Sequence, residues 1–275
     1  MTTFLTEKIN SILLPYQQEI EGKIKKHIDA IGQKNLLRDA CEYALLVGGK
    51  RFRPTLVLMI AKALGNNDVT NPALAIEFFH TASLIADDLP CMDNESLRRN
   101  KPTTHTQYNE ATAILATYAL IASGYKLLTY NPEVSLIAIQ NISDNTGADG
   151  ATGGQFLDLY ETDRSPQPVL NIIHKKTTTL FESSFVLGWL YGGGDVNKLP
   201  LVKQASHHFG KAFQIADDLQ DMQQDILNDK PNFAVATSAE HALKTLKEEI
   251  HSFRAALEKL GLAHSELTSL ADLLT

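Results

Sequence analysis

Cysteine is scarce in this chain, with only Cys41 and Cys91 among 275 residues. Two thiols cannot build a disulfide framework or a four-sulfur zinc site, and reduced thiols point to a cytoplasmic protein. Glycine and proline are also few, 16 and 10 respectively. Sparse turn punctuation favours long helices over many short strands. Positive charge is not in excess: 25 Lys and Arg stand against 32 Asp and Glu, a net −7. That balance argues against sequence-independent binding of nucleic acid, so an anionic ligand must be met by local basic residues or metal ions. No apolar run approaches the ~20 residues of a membrane-spanning helix. The opening MTTFLTEKIN has neither the basic start nor the apolar centre of a signal peptide. What is present is ordinary globular composition, 44% hydrophobic and 21% charged.

Helical periodicity runs through the chain. Leu5, Ile9, Ile12, Leu13, Tyr16, Ile20, Ile24 and Ile28 recur at three- and four-residue steps, as do Ala239, Ala242, Leu243, Leu246, Ile250, Phe253, Leu257 and Leu260. Thr237 and Glu240 offer a capping box for the second of these helices, and Gly261 a stop. Asn71-Pro72 suggests the start of a helix reaching about Leu89. The stretch from Ala111 to Leu128 is apolar nearly all round, as a central buried helix should be. Period-two alternation is not evident. The expected architecture is one all-α domain spanning residues 1–275, with about ten helices and no linker rich in Pro, Ser or Gly.

One internal echo carries more meaning than the helix boundaries. Ile85-Ala86-Asp87-Asp88-Leu89 returns as Ile215-Ala216-Asp217-Asp218-Leu219. Twinned aspartates on an apolar helix are costly unless something positive lies between the two copies. In the second copy, Gln214, Asp217, Asp221 and Asp225 share one helix face. In the first, Asp93 would stand about 120° round an ideal helix from Asp87. Pro90 can break that helix and bring Asp93 back to the same side. An isolated acidic stripe is ordinarily a solvated face. Here Phe213, Ile215, Ala216 and Leu219 interrupt it with apolar residues. Carboxylates from two helices suit Mg²⁺, which takes few protein oxygens and completes its shell with water and phosphate. His207-His208, adjacent and pointing two ways, reads as surface.

Basic residues gather in two runs, Gly48-Gly49-Lys50-Arg51-Phe52-Arg53-Pro54 and Arg98-Arg99. Glycine lets backbone approach a ligand and Lys or Arg neutralises phosphate, although either run alone could be a solvated turn. His80, seven residues before Asp87, lies only about 20° round the helix from it and so should face the same site. A lone histidine in that place could equally be a satisfied core residue.

The motifs GGKRFRP, DDLPCMDNESLRR, GGQFLDL, KTTTL and QIADDLQD stand in the order found in trans-isoprenyl diphosphate synthases. Over residues 36–233 the chain therefore resembles the polyprenyl synthetase family. The four residues between Asp88 and Asp93 are similar to its short-chain farnesyl and geranylgeranyl branches. The resemblance implies the isoprenoid synthase fold, a single-domain helical bundle around a central cavity. It implies Asp87, Asp93, Asp217 and Asp221 as Mg²⁺ ligands, with Asp88 and Asp218 supporting, and three ions bound together with the diphosphate. Gly49, Lys50, Arg53, His80 and Arg99 match the isopentenyl diphosphate pocket. Arg98, Lys176, Thr177 and Gln214 match positions that hold the allylic diphosphate or face its reacting end. A homodimer is the usual family assembly.

The chemistry implied is electrophilic prenyl transfer, in which preorganised charge stabilises the departing diphosphate. An apolar pocket must keep water from the carbocation. The growing chain should run along the helix ahead of Asp87. Ala82 and Ser83 are small, where an aromatic residue would stop the product at C15. Phe79, about 12 Å upstream along the axis, could form a floor. A C20 product is favoured over C15, although all three residues could simply pack in the core.

Three departures stand out: Ala86 where the family usually has His, Thr117-Tyr118 where it has Gly-Asp, and a short stretch between Asp221 and Lys230-Pro231-Asn232-Phe233. The last removes a lysine-bearing loop and leaves Lys230 as the nearby candidate. Two alternatives compete: a class I terpene cyclase, which needs no second diphosphate pocket, and a catalytically impaired partner subunit of another prenyl synthase.

Overall fold

The computed structural model describes the backbone of residues 2–66, 68–228, 230–272 and 274, and side chains from residue 12 onward within that range. Leu5 and Ile9 thus lie outside the described side chains. In chain order the helices are α1 (Thr2–His27), α2 (Leu36–Leu46), α3 (Phe52–Ala63), α4 (Thr70–Asp87), α5 (Thr104–Gln107), α6 (Glu110–Leu127), α7 (Pro132–Thr146), α8 (Ala151–Tyr160) and α9 (Pro166–Ile173). A π-helical turn (His174–Thr178) leads into α10 (Thr179–Tyr191), followed by α11 (Leu199–Leu227), α12 (Phe233–Ala236), α13 (Ala239–Leu260) and α14 (Glu266–Asp272). Helix accounts for 76% of the chain, and α5 and α12 are single turns. A two-stranded hairpin, β1 (Leu97–Arg98) against β2 (Lys101–Pro102), interrupts the helices. At two residues per strand it is too short for an alternating pattern to show.

The central helix is α10. All thirteen of its residues are buried, and α3, α4, α7 and α11 pack around it. Phe181, Phe185, Phe209 and Phe253 interlock across α10, α11 and α13, with ring centroids 5.2–5.9 Å apart. Each such buried side chain contributes about 1.5–3 kcal/mol relative to exposure. Gly188 lets α3 close in, because a Cβ there would stand 2.9 Å from Ile60 Cβ and 3.0 Å from the Val57 carbonyl.

The expectation of a fully buried helix at Ala111–Leu128 fails in an informative way. Helix α6 buries Ala113, Ala116, Leu120, Gly124 and Leu127, the stripe that meets α4. Its opposite face leaves Ile114, Leu115 and Tyr118 exposed. Caps also differ by a residue or so. The α13 cap is Ser238, whose side chain accepts from His241 N–H, while Gly261 at φ 80° ends that helix as expected. Asn71 lies inside α4, which ends at Asp87. His207 and His208 are not free surface residues. They point apart as expected, but His207 Nε2 lies 2.7 Å from Glu182 and His208 Nδ1 2.6 Å from Glu249. Both pairs tie α11 to its neighbours.

Glu182 is the centre of a buried polar knot. Its carboxylate accepts from Asn141 at 2.7 Å and Asn145 at 3.1 Å on α7, and pairs with Lys203 at 3.0 Å. Burial would raise its pKa, but the bonds from His207, Asn145 and Lys203 outweigh that and hold it at about 2.

Candidate active site

Helix α4 ends where the first acidic motif begins, and the chain folds back rather than continuing. Pro90 cannot donate to the ladder. Instead Leu89 N–H bonds the Ala86 carbonyl, and Asp93 N–H returns to the Asp87 carbonyl at 2.9 Å. The return brings the Asp93 backbone beside Asp87, although the two side chains line different cavities. Asp93 is further held by Gln155 of α8, whose amide donates to Oδ1 at 3.2 Å.

Asp93 lines a cavity of about 490 Å³ together with Asp217, Asp218, Asp221 and Asp225 of α11. Acids from motifs far apart in sequence therefore share one cavity. Lys176, Thr177, Gln214 and Lys230 stand on the same walls. Lys176 is carried by the π-helical turn and pairs with Asp158 of α8. Gly154 makes that approach possible, since any Cβ there would strike the Lys176 backbone. Thr177 Oγ1 donates to Gln214 Oε1 at 3.0 Å, and Gln214 donates onward to Asp218 at 2.9 Å. Asp218 also accepts from the Phe233 N–H at 2.7 Å, while Asn232 bridges the Asp218 carbonyl and Asp225, each at 2.8 Å. The segment after α11 is thereby drawn back to the cavity, and the short loop still delivers Lys230.

Burial pushes Asp218 up to about 6, against the pull of its bonds from Gln214 and Phe233. Burial likewise raises Asp87 to about 6, with Lys176 and Arg98 opposing and Asp93 and Asp88 adding to the rise. Asp217 opens toward the cavity, yet surrounding protein and the neighbouring Asp221 charge raise it too. Among the described residues no three His, Cys, Asp or Glu side chains form a closed metal cage. The acids are spread along the walls.

Asp87 itself lines a second, apolar cavity of about 480 Å³ with Phe79, Ala82, Ser83, Thr117, Ile121 and Leu180. Leu159 belongs to both walls. Asp88 points elsewhere: it is 3% exposed and receives a fork from Arg98, with N–O distances of 2.6–2.9 Å. Both Asp88 and Arg98 stand off the acidic cavity.

A third cavity, about 580 Å³, is lined by Gly49, Lys50, Arg53, His80 and Arg99. His80 thus faces this basic chamber rather than the acidic one. Arg53 Nη1 lies 3.3 Å from His80 Nε2 and its guanidinium 4.8 Å from the Phe181 ring centre. Burial lowers Arg53 to about 10, and burial with the charges of Arg53, Arg99, Arg98 and Arg51 keeps His80 well below the usual histidine range. Beneath them Arg51, in the left-handed region at φ 49°, is buried against Glu77. Arg99 reaches the Gly48 carbonyl from the hairpin turn at φ 53°. Gly49, at φ 137°, has no room for a Cβ because the Arg99 guanidinium occupies that space.

Sequence reasoning assigned no role to Gln155, Asp158 or Asn232. The signal was there for the first two, three residues apart on one face of the GGQFLDL helix. Asn232 is visible only once α11 and α12 are seen to fold together.

The fold is a helical bundle that holds one acidic and one basic chamber. The polyprenyl synthetase family model matches residues 34–262. Farnesyl diphosphate synthase of Bacillus subtilis is 31% identical over 291 residues, covering 98% of both chains. Geranylgeranyl pyrophosphate synthase 3 of Arabidopsis thaliana is 38% identical over 199 residues, covering 68% of this chain and 55% of that protein. The structure of an FPP/GFPP synthase from Zymomonas mobilis superposes with a TM-score of 0.85 at 30% identity, covering 100% of both chains. The chain belongs to the polyprenyl synthetase family. It is a short-chain trans-prenyltransferase of the farnesyl/geranylgeranyl diphosphate synthase type.

Proposed function

We propose that the protein condenses isopentenyl diphosphate with an allylic diphosphate, releasing diphosphate and a short all-trans prenyl diphosphate, C20 in preference to C15. The observation that carries this reading is the shared cavity: Asp93 from one motif and Asp217, Asp218 and Asp221 from the other face the same space. The basic chamber of Lys50, Arg53 and Arg99 supplies a place for a second diphosphate, which a terpene cyclase does not need.

The donor set fits Mg²⁺: hard carboxylate oxygens, several with pKa raised chiefly by burial, and spread walls that leave coordination places for water and phosphate. Asp87, Asp93, Asp217 and Asp221 would hold the ions, three in number, bound together with the diphosphate. When bound, Mg²⁺ draws electron density from the leaving diphosphate and so favours breakage of the allylic C–O bond.

The remaining work falls to the chain's own residues. Lys176 and Lys230 neutralise the allylic diphosphate, and Arg98, bonded to Asp88 outside the acidic cavity, adds its positive charge near Asp87 and Asp93. Asp88 orients Arg98 through its fork, and Asp218 orients Gln214 and the returning segment. Thr177 and Gln214 present their oxygens to the reacting end of the allylic group, where positive charge develops. Gly49, Lys50, Arg53, His80 and Arg99 bind isopentenyl diphosphate, with His80 kept neutral. The new C–C bond takes the isopentenyl π electrons, and the proton then lost passes to the departing diphosphate. Water is excluded by the apolar cavity, where Ala82 and Ser83 leave the passage open above Phe79.

A homodimer suits the exposed stripe of Ala111, Ile114, Leu115, Tyr118 and Ala122 on α6, which water would otherwise cover. No helix among the described residues is long and apolar enough to cross a membrane. Two free thiols suit the reducing cytoplasm.

The test is an assay of the purified full chain with Mg²⁺, isopentenyl diphosphate and each allylic primer, products being sized by chromatography. A linear C20 or C15 diphosphate is expected. A cyclic hydrocarbon, or activity only with an added partner chain, would overturn the reading.

A further inference from the structure

We propose that Gly124 is a specificity-determining position that sets product length without touching the product, by leaving room for the Phe79 ring. This inference rests on the prenyl transfer reading and assigns part of its chain-length control to α6. Thr117, Ile121 and Gly124 follow one another along the same side of α6. The first two line the apolar cavity, whereas Gly124 lies beyond the Phe79 ring. Phe79 therefore stands between Gly124 and the cavity as its floor. A Cβ at position 124 would sit 2.9 Å from both Cε2 and Cζ of Phe79 and 3.3 Å from Cδ2. Carbon atoms settle at about 3.5–4.0 Å, so the ring would have to move by roughly 0.6–1 Å.

The directions open to it are few. Tyr125 meets the Phe79 ring edge to face at 5.0 Å between centroids, and its hydroxyl is tied to Ser143 Oγ of α7 at 3.2 Å. Phe79 itself is only 4% exposed. The space available is the cavity that the ring lines. A methyl group at position 124 therefore raises the floor, and the growing chain meets it sooner.

The test is the product distribution of four full-length proteins: wild type, Gly124→Ala, Phe79→Ala and the double variant. In Gly124→Ala the ratio of the longest product to the next shorter one should fall by about fivefold or more, the consequence of overpacking against a fixed neighbour. Phe79→Ala should lengthen the product, and adding Gly124→Ala to it should change nothing further. Thermal unfolding of all four accompanies the assay, and Phe79→Leu with and without Gly124→Ala replaces the pair if Phe79→Ala does not fold. A structural role alone would lower stability or total turnover and leave the length ratio untouched, which overturns the proposal. So does a shift that persists once the ring is gone. A wild type that makes no prenyl diphosphate overturns the parent reading as well, whereas a wild type that makes one with an unmoved ratio overturns only this inference.

Discussion

Replacing Glu182 with glutamine keeps its shape and removes one charge from the knot joining α7, α10 and α11. The native carboxyl is held at about 2, against 4.5 in an unfolded chain. A pKa depressed on folding adds stability that is fully present above 4.5 and is lost as pH falls toward 2. At about 1.36 kcal/mol per unit, the gap is worth roughly 3 kcal/mol at neutral pH. About 1.4 kcal/mol of that should be gone at pH 3.5 by the same linkage. Glu182 is only 6% exposed, so solvent screening takes little from these figures. Urea unfolding of wild type and Glu182→Gln between pH 7 and pH 3.5 measures the effect. Other carboxylates titrate in both proteins, so the difference between them isolates position 182. The variant should be about 2–3 kcal/mol less stable at pH 7, with the gap narrowing in acid. A gap that stays constant from pH 7 to pH 3.5 would refute the reasoning, because it would mean that the charge of Glu182 carries none of the stability.

Other outcomes follow from the site. Asp87→Ala or Asp217→Ala should each lower the condensation rate by about a hundredfold or more, the usual loss of one transition-state stabiliser; near-normal turnover in both would remove them from the metal assignment. Ala82→Phe fills the apolar cavity above Phe79 and should shorten the product, read by chromatography of the dephosphorylated chains. Gly49→Ala should raise KM for isopentenyl diphosphate about tenfold with kcat less affected, because the Arg99 guanidinium must leave its place. Tyr118→Lys on the exposed α6 stripe should shift the sedimenting species toward a single chain, and an unchanged dimer would exclude that face.

The pattern of acids was open to sequence reasoning because helical spacing alone puts Asp217 and Asp221 on one face. The return of Asp93 toward Asp87 was legible as well, through Pro90. The division into three chambers was not. His80 and Asp87 lie on nearly the same side of α4, yet they open into different spaces, because the Arg99 hairpin stands on one side and α8 on the other. Helix α6 was misjudged for a related reason: an all-apolar sequence reads the same whether its second face meets core or remains exposed. Helix α10 was the true centre, and its Glu182, Ser183 and Ser184 disguised it. Those polar groups are buried with it, and the bonds that make Glu182 tolerable come from α7 and α11, elements distant in sequence.

The π-helical turn at His174–Thr178 has a consequence for how this enzyme can vary. A wide turn contains one residue more than ordinary winding requires. Deleting a single residue there would let α9 run straight into α10 as ordinary helix, the flanking faces keeping their register while the residues of the turn itself shift round the axis by up to about 100°. Lys176 and Thr177 would then swing away from the acids they now face. The surplus residue is what keeps them aimed, so shortening the helix at this point would trade a more regular backbone for an idle active site.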